Sequence, residues 1–284
     1  METLRRVWGW TALCALALTT AHAAPSDTLK VHSNRLFVPV TVNGMQSEAL
    51  LDSAAEMTFM DPKLAAQLGL KPEGGETAKG SGGQTKVQFA KGVNIEAAGV
   101  TLEDMTVALL DMTFLSQKLV DSDLRIILGR EFFDAGAVRI DIAGGKIHRL
   151  AAGADPAGVK LPLTSHRGIE SLPCKVEGVA TEADIDLGNG SEVLIGKAFA
   201  EQHGLLAPGR VVEHKEGGGI GGAVVRDIVV LSSLEVGGVK FENVRAAIDP
   251  QPTAGAVNIG TSILRRFVLV IDYPGRAVWF EPRP

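Results

Sequence analysis

Aromatic residues, cysteines and long apolar runs are all scarce in this chain of 284 residues. Two cysteines cannot form a disulfide framework, whereas a 45% share of hydrophobic residues is enough for a sizeable core. After residue 25 no apolar stretch reaches the ~20 residues of a membrane-spanning helix, so we expect no membrane span in the mature chain. A formal net charge of −5 argues against a nucleic-acid partner. Glycine, by contrast, is abundant at 33 residues, which predicts many tight turns.

The first 23 residues have the composition of an export signal. Two arginines are followed by an almost wholly apolar run over residues 7–18, and Ala21-His22-Ala23 presents small residues where signal peptidase cuts. The apolar run is too short to span a membrane. We therefore predict cleavage near Ala23 and a periplasmic or secreted protein, in which Cys174 is the one remaining thiol.

The mature sequence contains one pattern twice. Matches recur at a constant separation of 134 residues: Val38 with Leu172, Pro39 with Pro173, Gly44 with Gly178, and Asp52 with Asp186. Each copy predicts a strand, a tight turn and a second strand that ends in aspartate. The turns fall at Asn43-Gly44 and Glu177-Gly178.

The likeness continues through the rest of each copy. Asp61-Pro62 is predicted to begin a short helix in the first copy, with Asp61 as its N-cap. The helix ends at Gly69, or at Gly204 in the second copy, and is followed by a glycine-rich loop and then by a hydrophobic–Gly pair. The later matches are residues 80–83 with 217–222, Leu128-Gly129 with Ile259-Gly260, and residues 138–141 with 269–272. Residues 151–158 have the composition of a linker. We predict a signal peptide over residues 1–23 and two mostly β lobes, over residues 24–154 and 155–284.

Two matched aspartates at the ends of apolar strands can face each other between similar lobes. Carboxylates a few ångströms apart cannot both ionise cheaply, so such a pair holds one proton over an acidic range. The ionised member can take a proton from water while the protonated member donates to a carbonyl oxygen. Asp52 and Asp186 are therefore predicted to form a general acid–base pair that needs no metal and no cofactor.

These residues resemble the pepsin and retropepsin-like aspartic proteases over essentially the whole mature chain. In that family each lobe carries hydrophobic–Asp–Thr/Ser–Gly, then a glycine-rich flap, then a glycine-containing segment beneath the active-site loop. The resemblance implies a mainly β acid-protease fold of two similar retropepsin-like β-barrel lobes related by a pseudo-twofold axis, and a polypeptide substrate. Besides the catalytic Asp52 and Asp186, it assigns the active-site loops to Ser53, Ala54, Leu187 and Gly188, the flap tips to Gly82, Gly83, Ile220, Gly221 and Gly222, and the supporting glycines to Gly129 and Gly260.

The resemblance also implies an ion pair within the first lobe. In retroviral proteases an acidic residue four positions after the catalytic aspartate pairs with the arginine that follows the supporting glycine. Glu56 and Arg130 occupy those positions, while their second-lobe counterparts are Gly190 and Thr261. We therefore expect Glu56 and Arg130 to pair and to fix the first loop.

Two residues depart from the family pattern. Leu187 has no hydroxyl where the family uses Thr or Ser, so Ser53 must find a different hydrogen-bond partner, and Ala54 stands where glycine is usual. The first interpretation is an aspartic endopeptidase, a monomer because one chain supplies both aspartates. The alternative is a catalytically impaired peptide-binding protein on the same scaffold, and a purely structural role is a third.

Other chemistries find little support in the sequence. The histidines show no H-E-x-x-H spacing, and no G-x-S-x-G nucleophile is present. Gly217, Gly219 and Gly222 satisfy G-x-G-x-x-G, but without a preceding buried strand or a following helix a hairpin is the better interpretation. Asp141 and Asp272 also repeat, and because they lead into turns we interpret them as turn-forming residues.

Overall fold

The computed structural model describes residues 28–166 and 168–283, so the export signal predicted over residues 1–23 lies outside the described part. Within that part the protein is mainly β, with two similar lobes, as the sequence predicts. None of the helices in the described ranges is long and apolar enough to cross a membrane.

The first lobe begins with a hairpin and contains three short helices, of which the second continues as a π-helical stretch over Ser116–Val120. Its elements are β1 Lys30–His32, β2 Arg35–Val42, β3 Met45–Leu51, β4 Phe59–Met60, α1 Pro62–Gln67, β5 Glu73–Gly80, β6 Gly83–Ala97, β7 Val100–Leu109, α2 Thr113–Leu115, β8 Ile126–Leu128, α3 Arg130–Asp134, β9 Val138–Asp141 and β10 Lys146–Arg149.

The second lobe repeats this order with two helices. Its elements are β11 Val159–Pro162, β12 Thr164–His166, β13 Ile169–Val176, β14 Val179–Ile185, β15 Val193–Gly196, α4 Lys197–Gln202, β16 Val211–Gly219, β17 Gly222–Val236, β18 Val239–Asp249, β19 Val257–Ile259, α5 Thr261–Leu264, β20 Phe267–Asp272 and β21 Ala277–Pro282. The predicted lobe boundary at residues 154 and 155 falls between β10 and β11 and stays a prediction.

The two lobes have the same strand order. One eight-stranded sheet runs β1-β2-β3-β8-β4-β7-β6-β5 and the other runs β12-β13-β14-β19-β15-β18-β17-β16. In each lobe one further pairing, β2 with β6 and β13 with β17, folds the sheet back on itself. This shared order confirms the internal repeat as a structural repeat.

Local chemistry explains why the repeated segments fold as they do. Asn43-Gly44 and Glu177-Gly178 form two-residue hairpin turns in which all four residues have positive φ, between 46° and 84°. Positive φ at both central residues is what a type I′ turn requires, and this turn matches the twist of the flanking strands. The Asp61 carboxylate caps α1 by accepting from the Lys63 backbone N–H at 2.8 Å. The predicted turns and the predicted cap are confirmed.

A third sheet joins the lobes, in the order β10-β9-β20-β21-β11. At its centre β9 of the first lobe pairs antiparallel with β20 of the second. Asp141 and Asp272 each accept a hydrogen bond from a turn glycine, at 2.7 and 2.9 Å, which confirms their turn-forming role. The main hydrophobic cluster includes residues of both lobes, so the two halves share one core.

Candidate active site

The two aspartates occupy equivalent positions at the ends of buried strands. Asp52 follows β3 and its backbone N–H donates to Leu128 O, whereas Asp186 follows β14 and donates to Ile259 O, both at 3.0 Å. The parallel pairings of β3 with β8 and of β14 with β19 set these positions. Both side chains are only partly buried. The ends of the two apolar strands therefore place one carboxyl group from each lobe at an accessible position.

The two loops meet, so each carboxyl group acts on the other. Gly188 of the second loop lies against the first carboxylate, and a Cβ atom there would be 2.5 Å from Asp52 Oδ2. Burial and the nearby charge of Asp186 raise the pKa of Asp52 to about 8. Burial also raises the pKa of Asp186. The structure thus brings together the predicted pair, and the pair holds a proton well above the usual range of an aspartate.

The hydrogen bonds around the two carboxyl groups are unequal. Asp52 Oδ1 accepts from the Ala54 backbone N–H at 2.9 Å, and Asp186 Oδ1 accepts in the same way from Asn189 at 2.9 Å. Asp186 Oδ2 additionally accepts from Asn258 Nδ2 at 2.7 Å, which lowers the pKa of Asp186. The first-lobe counterpart of Asn258 is the apolar Ile127. The shared proton is therefore held on Asp52, and Asp186 is the ionised member.

Ser53 ties the two loops together. Its hydroxyl donates to Ile185 O at 2.7 Å and accepts from the Leu187 backbone N–H at 3.0 Å, so its partners are backbone groups of the opposite loop. Leu187 is fully buried and contributes packing where the family uses a hydroxyl. The buried Tyr273 hydroxyl donates to Ser53 O at 2.7 Å. The loss of one hydroxyl is thus met without leaving Ser53 unpaired.

The supporting glycines lie directly beneath the loops. A Cβ atom at Gly129 would be 2.4 Å from Met57 O, and one at Gly260 would be 2.2 Å from Asn189 O. Both obstacles are backbone atoms of the aspartate-bearing loops, which cannot move without displacing the site.

The predicted ion pair between Glu56 and Arg130 is wrong. Among the described residues no ion pair joins them; Arg130 instead donates to the Glu170 carboxylate of β13, at 2.9 Å, and to Asp134 at 3.0 Å. Glu170 is fully buried and also binds Arg276 at 2.8 Å. A buried carboxylate needs counter-charges far more than an exposed one such as Glu56, so Arg130 turns towards the second lobe.

Both predicted flap tips are hairpin tips, and they interlock. The first is the turn between β5 and β6 and the second the turn between β16 and β17, and Gly82 N donates to Ile220 O at 3.0 Å. A Cβ atom would lie 2.2 Å from Gly222 O if placed at Gly82, and 2.6 Å from Gly83 N if placed at Gly221. The buried Arg226 of β17 donates to Ser81 O at 2.7 Å. The G-x-G-x-x-G residues thus belong to a hairpin, as the sequence predicts.

Within residues 28–166 and 168–283 the one cysteine is Cys174. Cys174 is buried in β13, and burial raises the pKa of its thiol to about 12, so little of it is ionised at neutral pH. Among the described residues no group of three or more His, Cys, Asp or Glu side chains is arranged to hold a metal ion.

Sequence reasoning missed four residues near the site: Asn258, Tyr273, Glu170 and Arg35. Asn258 carried a detectable signal, because a carboxamide stands where the first copy has Ile127. Arg35 precedes the first apolar strand, and its positive charge lowers the pKa of both Asp52 and Asp186. The contacts of Glu170 with Arg276 and of Tyr273 with Ser53 link segments more than 100 residues apart, and no local pattern indicates them.

Comparisons with known proteins agree with this geometry. The profile of the aspartyl protease family matches residues 38–132 and 172–263, one match in each lobe, and each match contains one of the two aspartates. The crystal structure of basic 7S globulin from soybean is similar with a TM-score of 0.53 at 10% identity, over 89% of this chain and 93% of that chain. At this identity the likeness shows a shared fold. No curated protein matches the sequence.

Proposed function

The chain belongs to the aspartyl protease family, and from this membership we propose that it is an exported endopeptidase that hydrolyses peptide bonds with Asp52 and Asp186. The observation that carries the proposal is the unequal pair of carboxyl groups. Burial and the nearby charge of Asp186 raise the pKa of Asp52 to about 8, while the hydrogen bond from Asn258 favours the ionised form of Asp186. A pair that shares one proton in this way supplies an acid and a base at once.

The proposed reaction passes through a tetrahedral intermediate that is not bonded to the protein. The Asp186 carboxylate takes a proton from a water molecule, which attacks the scissile carbonyl carbon, while the Asp52 carboxyl donates its proton to the carbonyl oxygen. Transfer of a proton to the amide nitrogen then allows the C–N bond to break. In this second half Asp186 donates to the amide nitrogen the proton that it took from water. Asp52 takes a proton from a hydroxyl of the intermediate as the carbonyl re-forms, so the pair regains its starting state with one shared proton.

The interlocked flaps set the order of events in this proposal. Peptide entry requires the tips at Gly82 and Gly221 to separate, because their backbones are in contact. Closure over the bound peptide then excludes bulk water from the carboxyl pair. The substrate is an extended polypeptide lying between the lobes.

The central test is digestion of a denatured protein by the mature chain between about pH 3 and pH 8, with and without a statine-type inhibitor. We expect cleavage that persists towards neutral pH, because Asp52 keeps its proton up to a pKa of about 8. The variant Asp52→Asn should lower kcat/KM by at least about a hundredfold, since it removes the general acid. The matched control is Asp272→Asn, in a turn where the asparagine oxygen can still accept from Gly275.

Three outcomes separate the candidate functions. Full activity of Asp52→Asn would overturn the assignment of the pair. Inhibitor binding without cleavage would favour the peptide-binding alternative, to which the missing hydroxyl at Leu187 points. Neither binding nor cleavage would point to a structural role.

We also propose that the protein acts as a monomer in the periplasm or outside the cell. One chain carries both aspartates, so no second copy is needed to complete the pair. The basic and then apolar N-terminal residues followed by Ala21-His22-Ala23 support export. N-terminal sequencing of the exported protein should give residue 24 first, and size-exclusion chromatography should give the mass of one chain.

A further inference from the structure

A cavity of about 620 Å³ lies beside the second aspartate loop. It is bounded by the turn between β1 and β2, by the residues that follow Asp186, and by β16 and β18. The residues of its lining that matter here are Arg35, Gly190, Ser191, Glu192, Lys215 and Arg245. Three of these six are cationic and one is anionic.

Arg35 is the member of this lining whose charge reaches the aspartate pair. It lowers the pKa of both Asp52 and Asp186, although it belongs to neither loop. Its Nη1 donates to the backbone oxygens of Leu119 at 2.7 Å and Ser33 at 3.2 Å. Among the described residues no carboxylate lies within ion-pair distance of Arg35, and the charges that oppose its own are those of the aspartate pair. Arg35 is therefore a partly buried cation beside the site with no ion-pair partner in the cavity lining.

The internal repeat explains why the second aspartate loop offers Arg35 no carboxylate. Gly190 lies four residues after Asp186, as Glu56 lies four residues after Asp52. A Cβ atom at Gly190 would be 2.9 Å from Arg35 Cγ and 3.1 Å from its Nη1, so the arginine side chain occupies the space next to that position. In the other half Glu56 packs against Gly168, and the counterpart of Arg35 is Ile169. One side of the pair thus has Glu56 and Ile169, and the other has Gly190 and Arg35 in the equivalent positions.

The other two cations of the cavity each have a carboxylate partner of their own. Lys215 pairs with Glu192 at 2.7 Å, and Arg245 pairs with Glu213 at 2.5 Å. Among the described cations of the lining, Arg35 is therefore the one that no carboxylate of the cavity pairs with. The turn that carries it is fixed to the second lobe, because the Thr261 hydroxyl donates to Asn34 O at 2.6 Å. The guanidinium is therefore held in place before any ligand arrives.

We propose that this cavity is a subsite for a carboxylate group of the peptide substrate, with Arg35 as its specificity-determining residue. The inference rests on the proposed peptidase function and names the substrate class that it favours. A guanidinium presents parallel N–H donors that match the two oxygens of a carboxylate. That carboxylate comes from an Asp or Glu side chain near the scissile bond or from the C-terminus of a short peptide.

The test compares peptides that differ only in charge. A series with Glu or Gln placed at each position from four residues before to four residues after the scissile bond is cleaved at pH 6, where a Glu side chain is ionised. At one position we expect the Glu peptide to have a kcat/KM about tenfold higher, the size of a charge-assisted hydrogen bond. Arg35→Gln should reduce the ratio to about one, and Arg35→Lys should keep part of it. The preference should fade below about pH 4, where the substrate carboxylate takes up a proton.

Two controls keep the result interpretable. Lys30→Gln removes the same charge from an exposed residue that pairs with Glu48 outside the cavity, and it should leave the ratio unchanged. Because the two peptides are compared within one variant, any effect of Arg35 on the aspartate pair cancels. A second peptide series, as C-terminal acids and C-terminal amides, separates a side-chain carboxylate from a terminal one.

Binding measurements separate failure of this inference from failure of the proposed function. Fluorescence anisotropy of labelled Glu and Gln peptides on the wild-type chain requires no turnover. A preference for Glu in binding that Arg35→Gln abolishes, without any cleavage, would support the subsite and contradict the peptidase. Cleavage or binding with no preference for Glu or for a terminal carboxylate at any position would overturn the subsite.

Discussion

At the scale of single residues, duplication has not made the two aspartates equivalent. Both loops donate a backbone N–H to one carboxylate oxygen, but Asp186 alone receives a side-chain amide, from Asn258. Asn189 Nδ2 donates to the Asn258 oxygen at 2.9 Å, which orients the amide nitrogen towards the carboxylate. The corresponding place in the first lobe is filled by Ile127, so one substitution between the copies decides which member holds the proton.

Replacing Asn258 tests this assignment through the pH dependence of activity. Its hydrogen bond lowers the pKa of Asp186, so Asn258→Leu raises that pKa and protonates the base at higher pH. The acidic limb of the kcat/KM profile should therefore move to higher pH, with about a tenfold loss at pH 4, since a hydrogen bond to a charged group contributes about 1.5–3 kcal/mol. Ile127→Leu is the matched control in the other lobe. An acidic limb that stays in place would show that Asn258 has only a packing role.

At the scale of elements, the two flap hairpins act as one cover. The β5–β6 tip and the β16–β17 tip contact each other through backbone atoms, and Ile220 also packs on a small apolar cluster of the first lobe. Arg226 adds a hydrogen bond from the second hairpin to Ser81 O. Opening either hairpin therefore breaks contacts of the other, and the two should move together.

A methyl group at the point of contact should separate the tips. In Gly82→Ala the new Cβ would meet the backbone oxygens of Gly222 and Gly219, and overpacking of this kind costs about 1–3 kcal/mol. Hydrogen exchange of the flap amides should accelerate about five- to 150-fold. Gly75→Ala in β5 is the control, because its Cβ would lie at an ordinary 3.6 Å from Val87 O. Equal exchange in both variants would contradict the interlocked tips.

At the scale of the whole molecule, sequence reasoning succeeds where the cause is local or repeated. The turns at Asn43-Gly44 and Glu177-Gly178, the cap at Asp61 and the paired aspartates all follow from residues within a few positions or from the constant separation of the copies. The partner of Arg130 does not follow in this way. It depends on how β13 of one lobe approaches α3 of the other, and a chain repeat carries no information about contacts that differ between its halves.

The ion pairs of Glu170 join the two lobes, so their loss should lower the free energy of unfolding of the whole chain. Glu170 is fully buried in the second lobe and binds Arg130 of the first lobe and Arg276 of the second. Glu170→Gln leaves both arginines without their shared counter-ion. Because the arginines are partly exposed, we expect a loss of about 2 kcal/mol in the free energy of unfolding, below the ~3–5 kcal/mol of fully buried pairs.

Urea unfolding of the two variants Glu170→Gln and Glu56→Gln measures this difference directly. Glu56 is exposed and has no ion pair with Arg130, so its substitution should change the free energy of unfolding by less than about 0.5 kcal/mol. The shared sheet of β9 and β20 and the common core predict that both variants unfold in one transition, not lobe by lobe. Equal losses of unfolding free energy in the two variants would favour the ion pair between Glu56 and Arg130. Two separate transitions would show that the Glu170 network and the shared sheet do not couple the unfolding of the two lobes.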